Sequence, residues 1–241
     1  MFKIKSKKII FRPLNKLFES ITDYPVSSST LIPKWYKELS VHISGNGSKP
    51  LVRNFGTDKT VKACMPFLDG LTAGYLLTLP IDLSVDIDEN GVKHINWLTK
   101  DYNPISTHSL DQIKGYPIPI GYDEQVFKLH GVWGVQTPPG YSLMYVHPLG
   151  RLDLPFYTFH GIVDADKHYV PINMQFVLKS DFTGIIPRGT PYSQVIPIKR
   201  EKWKSEKESA SKYDPSVTTS NVLFSIEKWY KNRIWQKKEY R

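Results

Sequence analysis

The sequence predicts a mainly β protein, a barrel or sandwich of short strands with helical additions at its N- and C-terminal ends. Three observations carry that expectation. Eighteen prolines and fifteen glycines in 241 residues favour many turns and short strands over long helices. Apolar runs of strand length recur from Tyr75 to Ile198, separated by Gly/Pro turns. Helix-like spacing of apolar residues is confined to the stretches before and after that region.

Residues 1–56 read as an N-terminal extension, residues 57–198 as the β domain, and residues 199–241 as a charged segment followed by a helix. In the extension, a strand is expected at 5–12 and a short helix at 31–39. Ser29 or Thr30 would cap that helix, with Pro33 in its first turn. Residues 44–50 form a loop by composition. Residues 57–60 offer helix-starting chemistry. Val61, Cys64, Met65, Phe67 and Leu68 follow at near-helical spacing, and Gly70 and Gly74 would end that helix.

Residues 76–85 read as a strand pair or one long bent strand. Asp88-Glu-Asn-Gly91 is a hairpin signal, since Asn-Gly tolerates the positive φ of a type I′ turn, and 92–98 is the return strand. Residues 99–122 form a polar, Pro-rich connection. Further strands are expected at 126–132, 142–147, 156–163, 172–178, 184–186 and 194–198. Residues 199–212 are a helix or linker. Thr218, Thr219 or Ser220 would cap a last helix over 221–238, whose stripe of Val222, Leu223, Ile226, Trp229, Tyr230, Ile234 and Trp235 needs a surface to dock on.

Composition removes several classes. One cysteine, Cys64, excludes an intrachain disulfide and an all-cysteine zinc site, and its apolar surroundings predict a buried, inert thiol in a reducing interior. No apolar run reaches the ~20 residues of a membrane span, and the N-terminus lacks the apolar stretch of a signal peptide. Of the net charge of +9, residues 1–16 contribute +6 and residues 199–241 another +6, leaving −3 for the middle. The β domain is therefore not a basic nucleic-acid platform. The basic ends would touch nucleic acid, an acidic partner or a neighbouring subunit, or are solvated faces.

Candidate site residues sit in two segments, Gly161-Ile-Val-Asp-Ala-Asp166 and the run from Ile186 to Pro197. Asp164 and Asp166 either border a ligand or satisfy backbone donors in a turn. Arg188-Gly189-Thr190 either seats a phosphate on exposed N–H groups or is a turn with a solvated arginine. His147, His160 and His168 with Asp153 have the composition of a two-histidine, one-carboxylate metal site but not its close spacing, and no metal ligand is assigned. Aromatic residues such as Trp133, Tyr145 and Phe156 suit a core.

Together with Ala73-Gly74-Tyr75 and the Pro139-Gly140 turn, these segments resemble, in order and spacing, the dUTP pyrophosphatase and dCTP deaminase superfamily over about residues 71–198. The resemblance implies a β-clip, or distorted jelly-roll barrel, commonly trimeric. It implies that Asp164 orients a water for in-line attack on phosphorus. It further implies that Tyr75, Arg151, Asp166, Arg188 and Gln194 line a nucleotide site, with Mg2+ if the protein hydrolyses nucleotides. The chain departs from the family at Leu76, which replaces an acid, and at Lys167, which replaces a tyrosine. The two serines of the Arg-Ser-Ser segment are absent, and residues 199–241 hold no glycine for the closing arm. The chain is also similar to uncharacterised proteins of marine tailed phages.

These departures favour a non-catalytic phage-type protein that binds a nucleotide-like ligand or serves as an assembly or regulatory module. Two alternatives are a dUTPase-like pyrophosphatase of altered specificity and a virion decoration protein. A homotrimer or other homo-oligomer is expected, its long terminal segments suiting exchange of arms between subunits. The expected location is the host-cell interior, or the virion if the role is structural, with no membrane association.

Overall fold

A computed structural model describes residues 7–42, 59–209 and 230–241. The chain is mainly β, as expected. Its strands are β1 (Ile10–Pro13), β2 (Val26–Ser27), β3 (Tyr75–Thr78), β4 (Leu83–Ile87), β5 (Lys93–Asn96), β6 (Ile105–Thr107) and β7 (Phe127–Leu129). They continue with β8 (Trp133–Gln136), β9 (Tyr141–Val146), β10 (Phe156–Thr158), β11 (Gly161–Val163), β12 (Met174–Leu178), β13 (Gly184–Ile186) and β14 (Pro191–Lys199). The α-helices are short: α1 (Lys16–Ile21), α2 (Lys34–Glu38) and α3 (Met65–Thr72).

Among the described residues the strand pairings are antiparallel and fall into four sheets, ordered β11-β9-β14-β3-β2, β10-β12-β7-β6, β13-β4-β5 and β1-β8. Among the described residues no sheet closes into a barrel, so the barrel expectation is corrected to a set of packed open sheets. One core serves them all. It takes Leu77 and Tyr192 from the first sheet, Phe127, Phe156, Met174 and Phe176 from the second, Leu83, Val85 and Ile186 from the third, and Phe11, Trp133 and Val135 from the fourth. An apolar void of about 10 Å³ among Leu83, Phe156 and Met174 is barely the space of one water, so this core is filled.

β14 organises the largest sheet. It pairs with β3 over residues 191–195 and with β9 over 194–199, so both flanks meet at Gln194 and Val195. The approach at that point is close. Gly74 holds φ +65°, and a Cβ built on it would lie 2.0 Å from the carbonyl oxygen of Val195.

Several expectations are refined. The hairpin at 88–91 forms, but Asp88 N–H donates to the Val92 oxygen (3.0 Å), so the loop holds three residues rather than two. Asp88 Oδ1 accepts from the N–H groups of Asn90 and Val92 (both 2.9 Å), and Gly91 (φ +79°) closes the loop. β3 and β4 do not pair with each other; they belong to different sheets. The expected helix at 61–74 breaks at Cys64 into a 3₁₀ turn (Val61–Ala63) and α3, with Gly70 inside α3. The break leaves Cys64 exposed, not buried. Pro33, not Ser29 or Thr30, precedes α2 as its N-cap.

The connection at 99–122 contains β6 and a 3₁₀ turn (Leu110–Ile113) closed by a Ser109/Gln112 capping box. Residues 201–209 form neither helix nor strand and are exposed. The loop at 44–50, residues 57–58, and most of the expected last helix lie outside the described residues. Within that helix's range, Tyr230–Ile234 form a single wide π turn, and residues 235–238 are not helical. Among the described residues no helix is long and apolar enough to cross a membrane.

Candidate functional site

The sequence-predicted site residues do not form one site. They fall into four places, each set by the register of β14 and β9. Asp164 and Asp166 follow β11, beside the start of β9. Ser142 Oγ donates to Asp164 Oδ1 at 2.7 Å, and Arg200, the residue after β14, lies 3.2 Å from the same oxygen. Asp166 accepts from the Gly140 N–H (2.9 Å) and from both guanidinium nitrogens of Arg200, Nη1 at 2.9 Å and Nη2 shorter. Arg200 Nη1 also donates to the Tyr141 oxygen and to Ser142 Oγ (3.1 Å each). The Arg200 fork, and then the Gly140 N–H, hold the Asp166 carboxyl well below the usual carboxylate range, at about 2.

This cluster is a clasp. It ties the Pro139-Gly140 turn, the residues after β11 and the end of β14 together, and it engages both oxygens of Asp166 and Oδ1 of Asp164. Arg200 escapes a sequence reading because nothing distinguishes it from the eleven other basic residues of the C-terminal segment.

Asp166 has a folded pKa below its unfolded value. Its contribution to stability is therefore fully present above about pH 4 and is lost as pH falls through about 2. Arg200→Met is expected to return the Asp166 carboxyl to the ordinary aspartate range, read from its carboxyl carbon by NMR titration. A carboxyl that still titrates near 2 in the variant would show that the clasp is not its cause.

Arg188 lies in the turn between β13 and β14. Its backbone N–H donates to Asp82 Oδ1 (2.6 Å), and its guanidinium pairs with Asp23 (3.1 Å). From Pro191 to Lys199 the chain crosses β14, roughly 27 Å at ~3.3 Å per residue. Arg188 and Asp164 therefore sit at opposite ends of the strand. The expected pocket joining them is corrected: it does not form within one chain.

Gln194 and Arg151 do approach one corner, but as structural groups. Gln194 is 1% exposed. Its Oε1 accepts from the Leu149 N–H (2.8 Å), and its Nε2 donates to the oxygens of Gly70 (3.0 Å) and Ala73 (2.5 Å). The Arg151 guanidinium is forked onto Asp153 (2.9–3.1 Å). His147 at this corner accepts from the Thr158 N–H on Nδ1 (3.2 Å) and donates from Nε2 to the Arg151 oxygen (3.0 Å). Burial lowers its pKa and keeps it neutral. Tyr75 is buried, and its hydroxyl donates to the backbone oxygen of Arg241 (3.1 Å). Among the described residues no three metal-capable side chains gather, so these residues offer no cradle for Mg2+.

A different place has the shape of a ligand site. The segment from His108 to Pro117 lies along the β10-β12-β7-β6 sheet and leaves an open groove of about 470 Å³. Its lining includes Lys114, Tyr116, Val126, Phe159 and Gln175. Met174 and Phe176 are buried in the core, and alternation along β12 turns Gln175 to the sheet's other face, toward the groove. The rings of Tyr116 and Phe159 lie tilted against each other, with centroids 4.6 Å apart and planes 31° apart.

The capping box fixes the chemistry of the groove's near wall. Gln112 Oε1 accepts from the Ser109 N–H (3.0 Å), so it also accepts from His108 Nδ1 (3.2 Å), which must carry the hydrogen. His108 Nε2 is then a bare acceptor, buried and without a hydrogen-bond partner among the described residues. The sequence hides this groove because residues 99–122 show no periodicity, and its far wall comes from strands distant in the chain. No protein-family model matches the chain, and no curated protein matches it either.

Proposed function

We propose that this chain is a non-catalytic binding protein whose groove between residues 108–117 and the β12 sheet holds a small ligand with a flat ring. The observation that carries this reading is the Tyr116–Phe159 ring pair beside a space of about 470 Å³, within the ~300–1,000 Å³ range of small-molecule sites. A nucleotide-like ligand fits this chemistry: its base extends the ring stack, its polar edge faces the Gln175 amide, and Lys114 offers a cation to a phosphate. The alternative in which Asp164 activates water beside Mg2+, with Arg151, Arg188 and Gln194 on the phosphates, finds no support in where those side chains lie. The finer fold reading, a dUTPase-like β-clip assembling as a homotrimer, rests on the order of the quoted segments along the chain.

A panel of nucleosides and nucleotides tests the proposal. At least one is expected to raise the melting temperature of the wild type without being consumed. Tyr116 is 45% exposed, so Tyr116→Ala should keep the unliganded melting temperature. It should weaken binding by roughly 5- to 150-fold, the ~1–3 kcal/mol of one base–aromatic stack. No shift with any member, or equal shifts in the variant, would sink the reading.

A further inference from the structure

Resting on the ring-binding reading of the groove beside β12, we propose that its ligand carries a single phosphate group, as a nucleoside monophosphate does. Lys114 and the Gln112 amide grip that phosphate without a metal ion.

One tight turn carries the cation and the ring together. The Tyr116 N–H donates to the Ile113 oxygen (2.9 Å), Lys114 holds φ −53° and ψ 122°, and Gly115 holds φ +80°. These are the dihedrals of a type II turn, whose third position calls for glycine. Such a turn keeps its first and fourth Cα atoms within ~7 Å, so Lys114 and Tyr116 cannot drift apart. The ammonium is therefore rooted beside the ring, where a phosphate joined to a ring-bound nucleoside meets it. Further phosphates find nothing more to bind them. Lys114 is the one ion in the groove's lining, and no carboxylate belongs to that lining, Asp111 of the same segment lying outside it. Mg2+, the usual companion of triphosphates, is held by one or two carboxylates together with phosphate oxygens. The lining contributes no such carboxylate.

Gln112 supplies the second half of the grip. Its Oε1 accepts from the Ser109 N–H (3.0 Å) and from His108 Nδ1 (3.2 Å), which uses both lone pairs of that oxygen. The capacity left to the side chain is its Nε2 amide, two donors and no acceptor. The capping box thus converts a group that ordinarily both donates and accepts into a donor alone. Gln112 is exposed and lines the groove two residues before Lys114. A phosphate monoester carries roughly −1.5 to −2 charge at pH 7 and presents strong acceptor oxygens. An N–H pair and an ammonium answer both properties. A ligand with a donor in that place would meet two donors and no acceptor.

Calorimetric titration of the intact chain tests the assignment. The probes are adenosine, guanosine, cytidine, uridine and thymidine, each as nucleoside, 5′-monophosphate and 5′-triphosphate, the last with Mg2+. For the base that binds, the monophosphate is expected to bind at least about tenfold more tightly than the nucleoside, the gain of one charge-assisted hydrogen bond. It should bind no less tightly than the triphosphate, and EDTA should leave its affinity unchanged. Lys114→Met should abolish the monophosphate-to-nucleoside ratio. So should Gln112→Glu, which keeps the capping box, because Glu serves there as Gln does, and replaces the donor amide by an anion. Each variant is read as a ratio between two ligands, so a loss of stability does not imitate the result. Equal binding of nucleoside and monophosphate by the wild type, tighter binding of the triphosphate with Mg2+, or a ratio that survives either substitution overturns the assignment while the ring reading stands. Binding of no member of the panel overturns both.

Discussion

Gly74→Ala is expected to lower the melting temperature by at least about 10 °C or to leave the protein insoluble. Two effects act together. The backbone at Gly74 sits at φ +65°, a conformation that costs an L-residue roughly 1–2 kcal/mol. The new methyl would also stand 2.0 Å from the Val195 oxygen, 2.9 Å from the Val195 carbonyl carbon and 3.0 Å from Ile196 Cα. All three are backbone atoms of β14, so no rotamer change relieves the clash. The strands must part where both flanks of β14 overlap. A combined loss on the order of 4 kcal/mol, at ~2–4 °C per kcal/mol for a chain of this size, gives the expected shift. Gly91→Ala is the control: φ is +79° but nothing lies within 4 Å of the added methyl. That variant should lose only a few degrees in calorimetry, and equal losses at the two positions would refute the role given to the close approach.

Gln194→Leu is the second large effect. The side chain is 1% exposed and joins the loop after β9 to the end of α3 through one accepted and two donated hydrogen bonds. Leucine of similar volume strands the Leu149 N–H and removes one of two donors from each carbonyl oxygen, Gly70 keeping the Ala73 N–H and Ala73 keeping the Ser28 hydroxyl. The unmet N–H costs ~1–3 kcal/mol and each lost carbonyl bond about 1 kcal/mol, so the loss is about 4 kcal/mol, again near 10 °C by calorimetry without any ligand. A glutamine that served a ligand would behave otherwise. Its removal would leave the unliganded protein as stable as the wild type and weaken binding alone. The two outcomes separate a structural Gln194 from the phosphate-binding one that the segment order implied.

These residues also show what the sequence made legible. Strands such as β9 and β13 stand out because turns bound them, and β9 alternates partly buried faces. β8 is hidden in a longer run. Trp133, Gly134 and Val135 are all buried, so no alternation marks the strand. Gly134 reads as a breaker, yet it is there because a Cβ would meet the Tyr169 oxygen at 2.4 Å. The site was legible only as an order of segments. Whether Asp164 meets Arg188 or Arg200 depends on which end of β14 each occupies, and that is decided by pairing register between strands far apart in sequence. The groove was invisible for the same reason: Tyr116 and Phe159 are 43 residues apart, and only the fold stacks them.

The edges of the three larger sheets carry a last consequence. Their outer strands, β11 and β2, β10 and β6, β13 and β5, are two to four residues long. Strands this brief expose too few unmet backbone groups to template a foreign strand, which is how natural β proteins avoid fibril-like aggregation. A chain so rich in β structure thereby stays safe at high local density, because its edges end before another molecule can read them.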